Sequence, residues 1–210
     1  MTLAADPDRA AKVLKLSERQ RALALADNAT LRDAPTMPAI DRYTGVLFDA
    51  LDAGSLAPEA RAWLHAHAFI QTALLGPVRA LDAIPSYRLA AAASLPDLPP
   101  LKRHWGTATT EALDREVDGL VIDLRSEAYV ALGPVPDGAV STYVRVVTDA
   151  GDGTARALNH FNKKAKGQLT RALAETGPVL RAPADLVAWA RGAGFDMRSG
   201  ARTGETELVV

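Results

Sequence analysis

One strand pattern limits the possible folds of this 210-residue chain more than any other feature. The stretch STYVRVVT, residues 141–148, alternates its side chains with the period of two that β-strands have. Val144 and Val146 point to one face of a sheet. Tyr143 and Arg145 point to the opposite face. Because a strand must pair with other strands, the chain contains a sheet, and the remaining segments must supply its partners and its cover.

Other segments supply these partners and covering helices. Further strands are predicted at Leu120–Leu124, over residues 154–159 after the turn sequence DAGDG, at Phe195–Arg198 and at Glu205–Val210. Helices are predicted over residues 7–27 (two short helices joined around Leu16 and Ser17), Tyr43–Leu51, Pro58–His67, Trp105–Leu113, Phe161–Glu175 and Pro183–Arg191. Phe69–Leu75 fits either a helix or a buried strand.

This order of elements indicates the α+β class. We expect a single mixed domain over residues 1–210, with a central sheet, flanking helices and an amino-terminal helical subregion at residues 7–35.

Composition excludes several kinds of chemistry. The chain has no cysteine, so it has no disulfide, no thiolate nucleophile and no cysteine-based metal site. The phosphate-binding, dinucleotide-binding and zinc-protease motifs are also missing. The sequence therefore predicts no metal site and no cofactor. It shows no signal peptide and no apolar run near the roughly 20 residues that span a bilayer, which favours a cytoplasmic protein without a membrane partner.

An unopposed basic cluster stands out against the net charge of -1. The stretch HFNKKAKGQLTRAL, residues 160–173, has four basic residues and no acidic one. As a helix it is amphipathic, with its apolar side formed by Phe161, Ala165, Leu169 and Ala172 and its opposite side basic. Gly167 costs about 1 kcal/mol relative to alanine inside a helix, which indicates close approach of another backbone or of a ligand.

Two interpretations of this helix remain open: a solvated cationic face, or a site for phosphate or a nucleic-acid backbone. Because a merely soluble face usually mixes both signs of charge, the missing acids favour the anion site. Its predicted residues are Lys163, Lys164, Lys166, Gly167 and Arg171.

A second polar cluster follows the predicted strand LVIDL. Asp123 lies near the end of that strand, and Ser126, Glu127 and Tyr129 come directly after it. Loops at strand ends commonly carry function, although a carboxylate there also commonly caps the next turn. Both interpretations of Asp123 stay open.

Several of these segments together resemble the peroxide stress protein YaaA family. The matching elements, in chain order, are Tyr43-Thr44-Gly45, Leu81-Asp82 with Tyr87-Arg88-Leu89, His104-Trp105-Gly106, the strand Val121–Leu124 with Ser126, Glu127 and Tyr129, the basic stretch with Lys163, Lys164, Lys166, Gly167 and Arg171, and the terminal Gly194-Phe195 and Glu207-Leu208-Val209. Glu127 follows Ser126 directly, whereas one residue usually intervenes in the family.

The resemblance implies a cytoplasmic protein of the hydrogen peroxide response that limits oxidative damage and binds double-stranded DNA. It implies no recognised catalytic motif. In the family, DNA binding is associated with a positive cleft and a helix-hairpin-helix element, which the two helices around Leu16 and Ser17 resemble without the usual glycine. The family also begins with a strand and a Lys-Thr loop that this sequence lacks, so we expect either a late-assigned start or a natural truncation.

Two hypotheses follow from the sequence. The first is a DNA-binding protein of the peroxide response that uses the basic helix. The alternative is an enzyme acting on a phosphorylated or nucleotide-like small molecule. Its pocket would be formed by Tyr43, Thr44, Gly45, Tyr87, Arg88, Trp105, Ser126, Glu127 and Tyr129, with Lys163 beside them.

Overall fold

A computed structural model describes residues 6–149, 155–157 and 159–210, and at 149, 155–157, 159 and 160 it describes the backbone alone. The helices are α1 (Pro7–Val13), α2 (Glu18–Ala29), α3 (Ala39–Arg42), α4 (Val46–Leu51), α5 (Pro58–His67), α6 (Leu101–Glu116), α7 (Glu127–Val130), α8 (Asn159–Thr176) and α9 (Pro183–Gly192). The strands are β1 (Thr36–Pro38), β2 (Phe69–Thr72), β3 (Gly76–Arg79), β4 (Ala83–Pro85), β5 (Val121–Asp123), β6 (Ser141–Asp149), β7 (Ala155–Ala157), β8 (Met197–Ser199) and β9 (Glu205–Val209). The predicted α+β class is confirmed.

The described residues form two compact units. The first comprises residues 6–42, 69–112 and 125–134, and the second comprises the rest. The prediction of two short amino-terminal helices is confirmed in the first unit. Helix α1 ends at a tight turn in which Lys15 takes a left-handed φ of 53° and the Leu16 N–H donates to the Ala11 carbonyl. Gln20 then accepts hydrogen bonds from the N–H and hydroxyl of Ser17 at the start of α2.

Two small antiparallel sheets complete the first unit. Strand β1 pairs with β4, and β2 pairs with β3. The open choice for Phe69–Leu75 is settled as a strand, because Phe69–Thr72 pairs with Gly76–Arg79 around a turn. A small apolar core of Ala73, Leu101 and Leu132 lies beside these elements.

The second unit is built on the sheet that the alternating sequence predicts. Its five strands have the order β5-β6-β9-β8, and β7 pairs with β6. Strand β6 is parallel to both β5 and β9, whereas β7 and β8 run antiparallel to their neighbours. The predicted return strand and the final strand pair are confirmed, and the DAGDG turn itself lies outside the described residues.

The core of the second unit lies on the valine face of β6. Val144 and Val146 are fully buried with residues from α8, α9 and the last two strands, namely Ala165, Leu169, Leu173, Leu186, Ala190, Met197 and Leu208. The helices predicted at Phe161–Glu175 and Pro183–Arg191 are therefore confirmed, and both contribute to one core. In the part of the chain that the structure describes, no helix is long and apolar enough to cross a membrane.

Candidate functional site

Three polar residues lie side by side on neighbouring strands of the second unit. The β5–β6 register pairs Asp123 with Tyr143, and the β6–β9 register pairs Tyr143 with Glu205. Residues paired in this way point to the same face of a sheet, here the face opposite Val144 and Val146. Asp123 is buried, with 7% of its surface exposed. The sheet therefore carries a polar row on the face opposite Val144 and Val146.

Arg145 completes the polar row and is held rigidly. Its Nε donates to Glu205 Oε2 at 2.9 Å and its Nη2 donates to Oε1 at 2.7 Å. This two-point geometry is the strongest arrangement of an arginine–carboxylate pair. The hydrogen bonds from Arg145 lower the pKa of the Glu205 carboxyl, although burial acts in the opposite direction. The guanidinium carbon also lies 5.5 Å from the centre of the Tyr143 ring.

Helix α8 contributes a buried lysine to the same row. Lys166 is only 3% exposed, and its Nζ lies 4.9 Å from the centre of the Tyr143 ring. The prediction that Lys166 lies on an exposed basic face is wrong. Its spacing of three and seven residues from Leu169 and Leu173 puts it on the buried stripe of the helix. Phe161, predicted to be on the apolar side, is instead 55% exposed.

The charge state of Lys166 reflects this burial. Burial lowers the pKa of its amine from 10.5 to about 8; Arg145 adds to the decrease, and Asp123 opposes it. The face of the Tyr143 ring lies beside the Lys166 ammonium and favours its charged form.

Lys163 and Lys164 form the exposed part of the basic stretch. Both side chains lie on the solvent side of α8, together with Gln168. Neither lysine makes an ion pair with any residue in the described ranges. Two adjacent, unopposed cations on a helix that is packed on its other side are available to an anion.

Gly167 and Arg171 serve the packing of α8. A Cβ on Gly167 would overlap the Leu47 carbonyl oxygen and lie 2.9 Å from Ala50 Cβ, so the close approach indicated by the sequence is one of helix backbones. Arg171 Nη1 donates to the carbonyls of Leu51 and Asp52, at 3.0 and 3.1 Å. These two residues of the predicted anion site hold α8 against α4.

Arg171 also organises the turn that follows α4. Its Nη1 donates to Ser55 Oγ at 2.8 Å, and its Nη2 pairs with Glu175 at 2.9 Å. Asp52 adopts a left-handed φ of 48° in this turn. The guanidinium is thus occupied by four groups of its own unit, which leaves Lys163 and Lys164 as the exposed basic residues of the predicted set.

The Tyr43-Thr44-Gly45 element leads into α4 of the second unit. Tyr43 stacks on Phe48 with ring centres 5.2 Å apart. Gly45 precedes the helix with a φ of 105°, a conformation that favours glycine, and its N–H donates to Asp49. Thr44 and Gly45 are exposed. These contacts give the element a defined role in starting the helix.

The remaining predicted pocket residues belong to the first unit. Trp105 Nε1 donates to the Ala73 carbonyl at 2.9 Å, and its ring lies 3.1 Å from where a Cβ on Gly76 would be. Trp105 is therefore a packing residue of this unit. Ser126 precedes α7 as its N-terminal cap residue, and both Ser126 and Glu127 are exposed.

Tyr87, Arg88 and Tyr129 lie close enough to affect one another. Burial raises the pKa of the Tyr129 phenol and Tyr87 adds to the increase, while a hydrogen bond with the Ala91 backbone and the charge of Arg88 act against it. A cavity of about 280 Å³ in the same unit is lined by Ala91, Ala92, Ala93, Ser94, Pro100, Leu101, Lys102, Ala128, Ala131 and Leu132. None of the predicted pocket residues lines that cavity.

The described residues contain no evident metal-binding site. They contain no group of three or more His, Cys, Asp or Glu side chains placed to hold an ion. The polar row of the second unit fails as a metal site for a further reason: Lys166 and Arg145 put two cationic groups beside its carboxylates.

The order of these elements along the chain matches a known family. The family model described as peroxide stress protein YaaA matches residues 2–199. The chain belongs to the YaaA family. The matched residues therefore include Asp123, Tyr143, Arg145 and Lys166 of the polar row. They also include the exposed lysines and the packing residues of α8, but not Glu205.

Curated relatives agree with this assignment. A UPF0246 protein of Corynebacterium efficiens is 46% identical over 211 aligned residues, which cover 99% of this chain and 82% of the relative. A UPF0246 protein of Corynebacterium glutamicum strain R is 42% identical with the same coverage. One from Streptomyces coelicolor is 39% identical, over 93% of this chain and 75% of the relative. The names of these YaaA-family relatives state no activity.

Sequence reasoning missed the row formed by Tyr143, Arg145 and Glu205. The signal was present, because Glu205 and Glu207 stand two residues apart in ETELV, as Tyr143 and Arg145 do in STYVRVVT. What the sequence lacked was the register that pairs β6 with β9. Parallel pairing joins segments about 60 residues apart along the chain, and no local pattern encodes it.

Replacing Arg171 with methionine should lower the free energy of unfolding by about 1–3 kcal/mol, because two backbone carbonyls and one hydroxyl lose their donor. Arg171→Lys should give an intermediate loss, since an ammonium keeps the charge but not the fork of donors. Equilibrium urea unfolding measures both changes. A methionine variant as stable as the wild type would show that these hydrogen bonds do not stabilise the α4–α8 contact.

Proposed function

We propose that the chain is a cytoplasmic protein of the peroxide response that binds the phosphate backbone of double-stranded DNA and so limits oxidative damage. The observation that carries the proposal is the pair Lys163 and Lys164. Both are exposed on α8, and neither has a carboxylate partner in the described part of the molecule. Membership of the peroxide stress YaaA family supports the same role.

The packing of α8 favours a fixed rather than a flexible cationic surface. Gly167 and Arg171 attach the helix to α4 within one and two turns of the two lysines. Side chains on a helix held in this way lose less freedom when they bind than side chains on a loop do. The duplex presents one phosphate charge per 1.7 Å or so of its axis, so two adjacent lysines can contact neighbouring phosphates.

The helical hairpin of the first unit gives independent support. Lys15 adopts the left-handed conformation at the turn, the position for which glycine is usual, and the turn closes without a glycine. Lys12, Lys15 and Arg19 are exposed around it, and none forms an ion pair among the residues described. An exposed hairpin with three basic side chains suits contact with a phosphate backbone.

Exchanging both lysines for alanine should weaken duplex binding by about tenfold or more at moderate salt, with the same loss for every sequence. Each phosphate contact contributes about 0.9 to the slope of log affinity against log salt, so the slope should fall by about 2. Fluorescence anisotropy of labelled duplexes over a salt series measures both quantities. Gln168→Ala, an uncharged exposed position on the same helix, is the matched control. Unchanged affinity and slope in the double variant would rule out these two contacts.

A second candidate function is an enzyme for a phosphate-bearing small molecule. The neighbouring groups Tyr87, Arg88 and Tyr129 favour it, because a half-buried phenol beside a guanidinium suits an anionic ligand. A thermal-shift panel of nucleotides and sugar phosphates tests this function. Stabilisation of the wild type that is lost in Arg88→Met, with duplex binding unchanged, would support it over DNA binding.

A further inference from the structure

The ammonium of the buried Lys166 lies over the face of an aromatic ring, that of Tyr143. Lysines are almost never fully buried unless they are paired, and a lone charge in a protein interior is costly. Here the residue is 3% exposed, and its amine lies 4.9 Å from the centre of the Tyr143 ring. An arrangement of this kind favours a neutral amine, which keeps its lone pair available for reaction.

The groups around Lys166 come from several elements. Asp123 belongs to β5, and Tyr143 and Arg145 belong to β6. Glu205, on β9, is paired with Arg145. With the pKa of the amine at about 8, about a quarter of it is neutral at pH 7.5, against about one part in a thousand for an exposed lysine.

We propose that Lys166 is a nucleophilic amine that forms an imine with the carbonyl carbon of an aldehyde or ketone. The nitrogen lone pair attacks the carbonyl carbon, a C–N bond forms, and the C=O π electrons move to oxygen, which takes up a proton from the attacking nitrogen. A proton from the solvent then converts the carbinolamine hydroxyl to water, which leaves as the nitrogen lone pair forms the C=N bond of a protonated imine. Hydrolysis returns the amine and the carbonyl compound, so no oxidant or reductant takes part.

The surroundings suit the product of this step. A protonated imine keeps the positive charge at the Lys166 nitrogen, where the face of the Tyr143 ring and the carboxylate of Asp123 both stabilise a cation. The carboxylate of Glu205 already accepts two hydrogen bonds from Arg145. The same groups that tolerate the ammonium therefore stabilise the iminium.

Two sources of such a carbonyl group are possible, and the proposal does not depend on DNA binding. One source is a free small aldehyde or keto acid. The other is the ring-opened deoxyribose of an abasic site, whose C1 is an aldehyde and which must leave the helix to reach a buried amine. The exposed fraction of Lys166 is small, so the first probe must be small as well.

The test treats the full chain with limiting acetaldehyde and sodium cyanoborohydride at pH 7.5 and maps the adducts by peptide mass spectrometry. We expect Lys166 to be alkylated about tenfold or more in preference to Lys163 and Lys164. In Lys166→Met the adduct at this peptide should disappear. The double variant Lys163→Ala, Lys164→Ala should keep it, which separates this result from the outcome of the DNA-binding experiment.

A second arm uses a labelled duplex with one abasic site and sodium borohydride. A trapped complex that Lys166→Met abolishes identifies the abasic site as a source; an adduct with acetaldehyde alone identifies a free small carbonyl compound. Both results support the imine. Modification of exposed lysines with none at Lys166 in the folded wild type, in both arms, overturns it. Urea unfolding of Lys166→Met confirms that loss of the adduct is not loss of the fold.

Discussion

Replacing Gly167 with alanine should lower the free energy of unfolding by about 3 kcal/mol, because the new Cβ has no room. It would overlap the Leu47 carbonyl oxygen and lie 3.1 Å from the carbonyl carbon and 2.9 Å from Ala50 Cβ. Two of these three neighbours are backbone atoms of α4, which cannot move without shifting the helix. The substitution therefore separates α8 from α4.

The sign of this change decides between two effects. Helix propensity alone favours alanine over glycine by about 1 kcal/mol, so an isolated α8 would be stabilised. Gly106 in α6 is the matched control, because a Cβ there meets nothing within 4 Å. Gly106→Ala should raise the free energy of unfolding by up to about 1 kcal/mol. Equilibrium urea unfolding compares the two variants, and a Gly167→Ala protein at least as stable as the wild type would contradict the packing found here.

The parts of the fold that local patterns encode were predictable. The alternation of Val144 and Val146 predicted β6 and its buried face, and Ser17 with Gln20 predicted where α2 begins. Both signals lie within a few residues of the structure that they specify. The strands β1 and β4 carried no such signal, because three-residue strands that end in proline are too short to show a period of two.

The candidate site was harder to predict, because its charges are not local. Lys163, Lys164 and Lys166 look alike in a basic stretch, yet the helix turns about 100° per residue and brings only Lys166 into line with Leu169 and Leu173. A lysine at a core position is normally excluded by the cost of burying its charge. Here the Tyr143 ring and the charge of Asp123, from two different strands, offset part of that cost. That combination depends on the pairing of β5 with β6.

Replacing Lys166 with methionine should stabilise the protein at neutral pH. Burial lowers the pKa of the amine in the folded state to about 8, from 10.5 in the unfolded chain. Below pH 8 both states are protonated, and the folded state bears the full cost of the buried charge, which is about 3 kcal/mol for this difference in pKa. Methionine has a similar length and no charge, so Lys166→Met avoids that cost, less the contribution of the lost contact with Tyr143.

The sign of the pH dependence follows from the same difference. Between pH 8 and pH 10.5 the unfolded chain binds more protons at this residue than the folded protein, so the stability of the wild type rises with pH relative to the variant. The advantage of Lys166→Met should therefore shrink from about 3 kcal/mol at pH 7 to well under 1 kcal/mol near pH 10.5. Urea unfolding of both proteins at several pH values measures it, with Lys164→Met as the exposed control. An advantage that stays constant with pH would mean that Lys166 titrates alike in both states, and the buried amine would then lack the free-base population on which its reaction with a carbonyl group depends.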